Sequence, residues 1–114
     1  MISMKKGKII YDKEHDILIL KIREGVYEKS TEKGNLVIDK DKKGSIMGIR
    51  VLDASFVLGI DKSAINTNKM EVEKNNEAIY IKLREGEFDR NEIVDDFTIL
   101  DLDKDSAVLG IELL

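Results

Sequence analysis

The chain of 114 residues contains no cysteine, proline, tryptophan or glutamine and only one histidine. The absence of cysteine excludes disulfides, thiolate nucleophiles and cysteine-ligated zinc sites. No apolar run approaches the roughly 20 residues that a membrane-spanning helix needs. The first residues, MISMKKGKII, lack the apolar segment and cleavage site of a signal peptide. We therefore expect a cytoplasmic protein that does not enter a membrane.

The composition is that of a small folded protein, with 42% hydrophobic and 37% charged residues. A net charge of −4 disfavours nucleic-acid binding, which depends on clustered Lys and Arg. The basic cluster of Lys40, Lys42 and Lys43 is interleaved with Asp39 and Asp41. Abundant Lys and Glu fit a thermophilic source, although an AT-rich codon bias would give much the same composition.

The sequence contains an internal duplication. Residues 12–25 align with residues 73–86, and residues 38–52 align with residues 100–114. Identical aligned pairs include Lys21/Lys82, Arg23/Arg84, Gly25/Gly86, Asp39/Asp101, Asp41/Asp103, Gly48/Gly110, Ile49/Ile111 and Leu52/Leu114. Such self-similarity predicts two copies of one structural unit.

We interpret the chain as a single globular domain built from this duplication. Repeat one, the linker and repeat two cover residues 8–52, 53–69 and 70–114. The linker predicts a short helix over residues 54–58, because Asp53 is a favoured N-cap residue and Gly59 a favoured C-terminal stop.

Both repeats show the period-two alternation of strands that bury one face. Leu18, Leu20 and Ile22 are separated by residues that point the other way, and the aligned residues of repeat two follow the same pattern. The connections are short, which favours antiparallel pairing. The predicted fold is mainly β, with two tandem antiparallel four-stranded meanders packed face to face with pseudo-twofold symmetry. The predicted strands lie near residues 9–11, 17–24, 35–39, 45–52, 70–73, 78–85, 97–102 and 107–113.

Repeat one opens with IIYDKEHDILILKI and closes with LVIDKDKKGSIMGIRVLDAS. These motifs resemble the small prokaryotic family known as domain of unknown function 2283. The residues that fit its pattern are Tyr11, Asp12, Asp16, Leu18, Asp39, Asp41, Gly44, Gly48, Ile49, Leu52, Asp53 and Ala54. Repeat two departs from it, with Val72 and Glu73 in place of Tyr-Asp and Ser106 in place of the turn glycine. The resemblance implies no catalytic residues. Some members look like companions of toxin-like proteins, which implies a protein-binding module.

The aspartates of the closing segments are weak candidates for metal ligands. Asp101, Asp103 and Asp105 have the spacing of the first three ligands of a calcium loop, and Asp39 and Asp41 keep two of these positions. The flanking periodicity is that of strands, whereas an EF-hand needs helices. We therefore favour hairpin turns shaped by Asp, Lys, Gly and Ser.

His15 is the other titratable candidate. Flanked by Glu14 and Asp16, it could serve as a general base or a single metal ligand. It aligns with Asn76 and has no second histidine or cysteine to complete a site, so an exposed turn histidine is favoured. No phosphate-binding loop or nucleophile elbow occurs. We expect neither catalysis nor a cofactor.

Gly48 and Gly110 interrupt aligned strands. A glycine inside a strand lowers stability unless a β-bulge or a close neighbour uses the gap. Ile19 and Tyr80 are predicted on the same outward face and could lie across these glycines. We favour packing or a bulge over a ligand that approaches the backbone.

Arg50 aligns with Glu112, whereas the family pattern has glutamate at this position. If the repeats pack about an axis near this position, the two side chains could form an ion pair between the repeats. Pairing of Arg50 with Glu112 is a hypothesis that rests only on this exchange of charge.

The sequence favours a non-catalytic binding or structural module. A protein partner could bind along a strand edge or on the face that carries Tyr80. The alternative is binding of a small ligand or, weakly, of a divalent cation at the acidic turns. The sequence predicts a monomer or homodimer and no nucleic-acid or membrane partner.

Overall fold

A computed structural model describes residues 8–75 and 78–114 of the chain. Asn76, which aligns with His15, lies outside the described residues, as does the start of the chain before Lys8. The chain divides into two compact units between Thr67 and Asn68. The face-to-face packing of the repeats, their pseudo-twofold symmetry and their union in a single globular domain stay predictions.

Repeat one forms a five-stranded antiparallel sheet in the order β1-β2-β5-β4-β3. Its strands are β1 (Lys8–Asp12), β2 (Ile17–Lys21), β3 (Tyr27–Lys33), β4 (Leu36–Asp41) and β5 (Ile46–Val51). The linker then contains helix α1 (Ala54–Leu58) and two short 3-10 helices (Lys62–Ala64 and Thr67–Lys69).

Repeat two forms a second five-stranded antiparallel sheet with the equivalent order β6-β7-β10-β9-β8. Its strands are β6 (Glu71–Lys74), β7 (Ile79–Lys82), β8 (Arg90–Asp95), β9 (Thr98–Leu102) and β10 (Val108–Leu113). The mainly β class is thus confirmed, and the two sheets share one topology.

The prediction of four strands per repeat was wrong, because it lacked β3 and β8. Both are edge strands whose residues are mostly exposed, so their sequences show no alternating apolar face. The sequence does contain a local feature that indicates the hairpin of β3 and β4. Gly34 and Asn35 form a two-residue loop between β3 and β4, and Gly34 has a φ of 60°, which is typical of a hairpin turn.

The prediction of a meander was also wrong, because the chain does not pass from β2 to an adjacent strand. It crosses the ends of β5 and β4 to reach β3 at the far edge. Three strand spacings cover about 14 Å, which the five connecting residues can span when extended. The amides of Ile22 and Arg23 donate to the carbonyl of Met47 at 2.8 and 3.0 Å, and Lys42 N donates to Val26 O at 3.0 Å. These bonds hold the connection against the sheet.

The predicted alternation in β2 and β5 is confirmed. Leu18 pairs with Val51 and Leu20 with Ile49, and all four side chains are buried. In repeat two Ile81 pairs with Ile111 in the same way, and both are fully buried. The opposite face of each sheet, which we call the outer face, is more polar. It carries Ile19 and Arg50 in repeat one and Tyr80 and Glu112 in repeat two.

Helix α1 has the predicted bounds, and Gly59 ends it with a φ of 67° and an N–H bond to Phe56 O. The predicted capping role of Asp53 was wrong. Asp53 occupies the N-cap position in a left-handed conformation, with a φ of 51°, and its side chain makes no cap hydrogen bond. The cap comes instead from Asp16 in the turn between β1 and β2. No helix among the described residues is long and apolar enough to cross a membrane.

Candidate functional sites

The turn between β1 and β2 carries a buried aspartate that joins the beginning of repeat one to the linker helix. Asp16 Oδ1 accepts hydrogen bonds from Tyr11 Oη at 2.5 Å and from Ser55 N at 3.0 Å. Its Oδ2 accepts one from Ser55 Oγ at 2.6 Å, and its carbonyl accepts one from Ala54 N at 2.9 Å. The carboxylate therefore caps α1 from outside the helix.

These contacts shift the pKa values of Asp16 and Tyr11. Burial alone would raise the pKa of Asp16, but hydrogen bonds from Ser55 and Tyr11 outweigh that effect and hold its pKa below the usual value. Burial and the hydrogen bond to Asp16 raise the pKa of Tyr11 to about 12. The Tyr11 hydroxyl, the Ser55 hydroxyl and the amides of Ala54 and Ser55 all donate to Asp16. These four residues therefore have a structural role, and we call them the Asp16 clasp.

Asp41 and Asp103 shape the hairpin turns that were considered as metal sites. Asp41 Oδ1 accepts bonds from the amides of Lys43 and Ser45, both at 2.9 Å. Asp103 Oδ1 accepts equivalent bonds, also at 2.9 Å, from the amides two and four residues later. Arg84 lies 3.6 Å from the other oxygen of Asp103. These carboxylates perform the turn role that the sequence favours.

Asp39 and Asp101 lie within strands and away from these turns. Asp39 contacts Arg50 and Ser30, while Asp101 accepts bonds from Tyr80 Oη at 3.1 Å and from the Asn91 amide at 2.6 Å. The described part of the chain contains no group of three or more His, Cys, Asp or Glu side chains that could hold a metal ion. Metal binding by the five candidate aspartates, including Asp105, stays a prediction.

His15 pairs with Asp12 rather than with the Glu14 and Asp16 that flank it in sequence. Its Nδ1 lies 2.9 Å from Asp12 Oδ2, and its side chain is 64% exposed. Hydrogen bonds from His15 lower the pKa of Asp12. The pair lies at the surface of a turn, as expected for a turn histidine.

The two strand glycines allow close contacts across the outer face of each sheet. A Cβ on Gly48 would lie 2.7 Å from Leu20 O, which is too close for any other residue. A Cβ on Gly110 would lie 2.5 Å from Tyr80 Oη and 3.0 Å from Ile81 O. Each glycine also adjoins a shift in strand register. The packing-or-bulge interpretation of these glycines is therefore confirmed.

Arg50 forms its ion pair within repeat one. Its guanidinium donates to both oxygens of Asp39, at 2.9 and 3.3 Å, and Ser30 Oγ donates to the same carboxylate at 2.6 Å. The hydrogen bond with Asp39 is the main cause that raises the pKa of Arg50. Pairing of Arg50 with Glu112 stays a prediction.

The edge strand of repeat two carries exposed apolar residues where repeat one is polar. Ile93 on β8 is 74% exposed, and Phe97 in the following loop is 58% exposed. The aligned residues of repeat one are Glu32 and Asn35. Sequence reasoning missed this difference because β8 itself was not predicted. A comparison of the two repeats at these positions would have found it.

Comparisons with known proteins match both repeats. A family model described as "Protein of unknown function (DUF2283)" covers residues 8–55 and 69–114. An uncharacterised protein of Methanocaldococcus jannaschii is 28% identical over 116 residues, which cover 92% of this chain and 99% of that protein. No solved structure matches the chain. The two matched segments confirm the tandem arrangement of two units.

Proposed function

Because the chain belongs to the DUF2283 family, whose description gives no function, we propose a role from its structure. We propose that the protein is a non-catalytic binding module that takes up an extended segment of a partner protein along strand β8. In this mode the partner adds a strand to an open sheet edge, backbone hydrogen bonds supply affinity, and side-chain contacts supply specificity.

Strand β8 has an open edge among the described residues, since it pairs only with β9. An edge strand presents unpaired N–H and C=O groups to any extended chain that approaches it. Strand β3 of repeat one occupies the same topological position. The two edges therefore offer a matched comparison within one protein.

The exposure of Ile93 and Phe97 carries the proposal. Edge strands are commonly protected by charged residues, and Glu32 of β3 fits that rule at the position aligned with Ile93. Large exposed apolar side chains instead mark interaction surfaces. Phe88, which precedes β8, is 55% exposed, and so is the aligned Tyr27 of β3. The two edges therefore differ at Ile93 and Phe97, where repeat one has Glu32 and Asn35.

The charge of this edge indicates the chemistry of the partner. Residues 85–97 contain six acidic residues and one basic residue, whereas residues 24–35 of repeat one contain three acidic and two basic residues. Complementary charge favours encounter with a basic segment. The partner segment is therefore extended, β-prone and basic, with apolar residues that contact Ile93 and Phe97.

Site-specific photo-crosslinking in cells of the source organism tests this function. A photoreactive phenylalanine analogue replaces Ile93 in one variant and Glu32 in a control variant. We expect the first variant to crosslink a defined partner protein, and mass spectrometry to place the crosslink in a basic, β-prone segment. The control tests whether any edge strand of this protein captures the same partner.

Purified proteins then test whether the contact supplies affinity. The identified segment, as a synthetic peptide, is titrated against the wild type, Ile93→Lys and the control Glu32→Lys. We expect Ile93→Lys to weaken binding at least about tenfold, the equivalent of 1.4 kcal/mol, and Glu32→Lys to have little effect. Equal crosslinking at positions 93 and 32, or equal affinity of both lysine variants, would contradict the proposal.

A further inference from the structure

The outer face of repeat one contains a pocket of about 220 Å³ above Gly48. Its apolar walls include Ile19, Tyr27 and Met47, and its charged lining consists of Lys21, Arg23, Arg50 and Asp39. The pocket thus combines an apolar surface with three cationic side chains and one carboxylate. Small-ligand sites usually combine these two features.

The equivalent space in repeat two is filled by a tyrosine. Tyr80 lies against Gly110, and its hydroxyl donates to Asp101 Oδ2 at 3.1 Å. Ile19 takes the place of Tyr80 in repeat one, where it faces Arg50 in the adjacent strand. The isoleucine side chain is shorter than that of tyrosine, and the pocket lies beside it and Gly48.

Arg23 is the second difference between the repeats at this place. Its counterpart Arg84 lies 3.6 Å from Asp103. The guanidinium of Arg23 has no hydrogen bond or ion pair with any residue that the structure describes. Arg50, by contrast, is already paired with Asp39. Arg23 is therefore a cation at the pocket that is available to an anionic group.

The volume limits the size of the ligand. An engineered protein cavity of about 150 Å³ binds benzene, so a pocket of about 220 Å³ holds one substituted ring. We propose that this pocket binds a monocyclic aromatic anion, with its ring above Gly48 in the place that the Tyr80 phenol takes in repeat two and its anionic group at Arg23. Such a site is independent of strand β8 and of the partner proposed for it.

A titration of the ¹⁵N-labelled protein with benzoate, followed by amide chemical shifts, tests the inference. We expect saturable shifts at Gly48 and Arg23 and none at the aligned residues Gly110 and Arg84. Benzamide, which is neutral and has the same ring, should bind more weakly. The absence of saturable shifts at Gly48 up to about 20 mM benzoate would overturn the proposal. It would mean a Kd above about 20 mM, which is a binding free energy weaker than about −2.3 kcal/mol.

Two substitutions separate the roles of charge and space. Arg23→Gln should weaken benzoate binding about tenfold and leave benzamide binding within twofold, while the matched control Arg84→Gln should change neither. Ile19→Tyr restores the tyrosine of repeat two and should abolish binding of both compounds. Unchanged benzoate affinity in either Arg23→Gln or a folded Ile19→Tyr would overturn the proposal. If Ile19→Tyr does not fold, Arg23→Gln decides alone, because Arg23 is exposed and its substitution should not disturb the fold.

Discussion

Asp16 and Ser55 are 39 residues apart in sequence and share two hydrogen bonds, one from the Ser55 hydroxyl at 2.6 Å and one from its amide at 3.0 Å. The carboxylate lies in the first turn of repeat one, and the serine lies in helix α1 after its last strand. This contact ties the beginning of repeat one to the linker helix that follows its last strand.

Removal of the Ser55 hydroxyl should destabilise the protein. Ser55→Ala loses the side-chain bond to Asp16 and should lower the free energy of unfolding by about 1 kcal/mol. Urea unfolding measures the change. Ser63→Ala, at an exposed position of the first 3-10 helix, is the control and should change stability by less than about 0.5 kcal/mol. Equal effects of the two substitutions would contradict a stabilising role for the Asp16 contact.

The contribution of Asp16 should depend on pH. Its folded-state pKa lies below the ordinary value of 3.8, so its stabilisation is complete above pH 3.8 and is lost as the pH falls through the folded-state pKa. We expect the stability difference between wild type and Asp16→Asn to be largest near neutral pH and to shrink on acidification. Urea unfolding over a pH series measures this difference. A difference that stays constant or grows toward low pH would rule out an ionised Asp16 in the clasp.

Tyr11 and Tyr80 should ionise only in strong alkali. Burial and hydrogen bonds to Asp16 and Asp101 raise the pKa of each phenol from 10.0 to about 12. Stabilisation from the neutral phenols is therefore complete below pH 10 and is lost as the pH rises toward 12. Phenolate absorbance should show two late-titrating groups, and Tyr11→Phe or Tyr80→Phe should each remove one. Ionisation of both tyrosines near pH 10 in the folded protein would contradict these contacts.

Tyr80 and Gly110 should be energetically coupled. Gly110→Ala places a methyl group 2.5 Å from Tyr80 Oη and should cost about 1–3 kcal/mol of stability. In a Tyr80→Ala background the same change should cost less, because only the carbonyl of Ile81 at 3.0 Å remains close. A double-mutant cycle by urea unfolding measures the coupling. Additive effects would show that the ring does not rest on the glycine.

The parts of the fold that the sequence predicts are those with a buried face. Strand β2 is visible because the buried Leu18 and Leu20 alternate with less buried residues, and the duplication repeats the pattern in repeat two. The edge strands β3 and β8 have no such alternation, because their residues are mostly solvated. The Gly34-Asn35 loop is the local feature that predicts β3, whereas the loop after β8, Asp96-Phe97, has no such signature.

The features that could not be predicted from sequence patterns depend on contacts between residues far apart in the chain. Asp53 is a favoured N-cap residue by type, yet Asp16 caps the helix, and nothing local in either segment indicates that they meet. Likewise, the pocket above Gly48 depends on the register of β2 against β5. The aligned repeats show that Ile19 stands where repeat two has Tyr80. That this exchange lies beside a pocket could be seen only once the pairing of β2 with β5 was known.

Amide hydrogen exchange in the presence and absence of the crosslinked partner segment tests the central claim most directly. If the partner adds a strand to repeat two, amides of β8 should exchange more slowly in the complex, while those of β3 should keep their rates. Ile93→Lys should remove the protection. Protection that appears on β3 or elsewhere and leaves β8 unchanged would contradict the assignment of β8 as the binding edge.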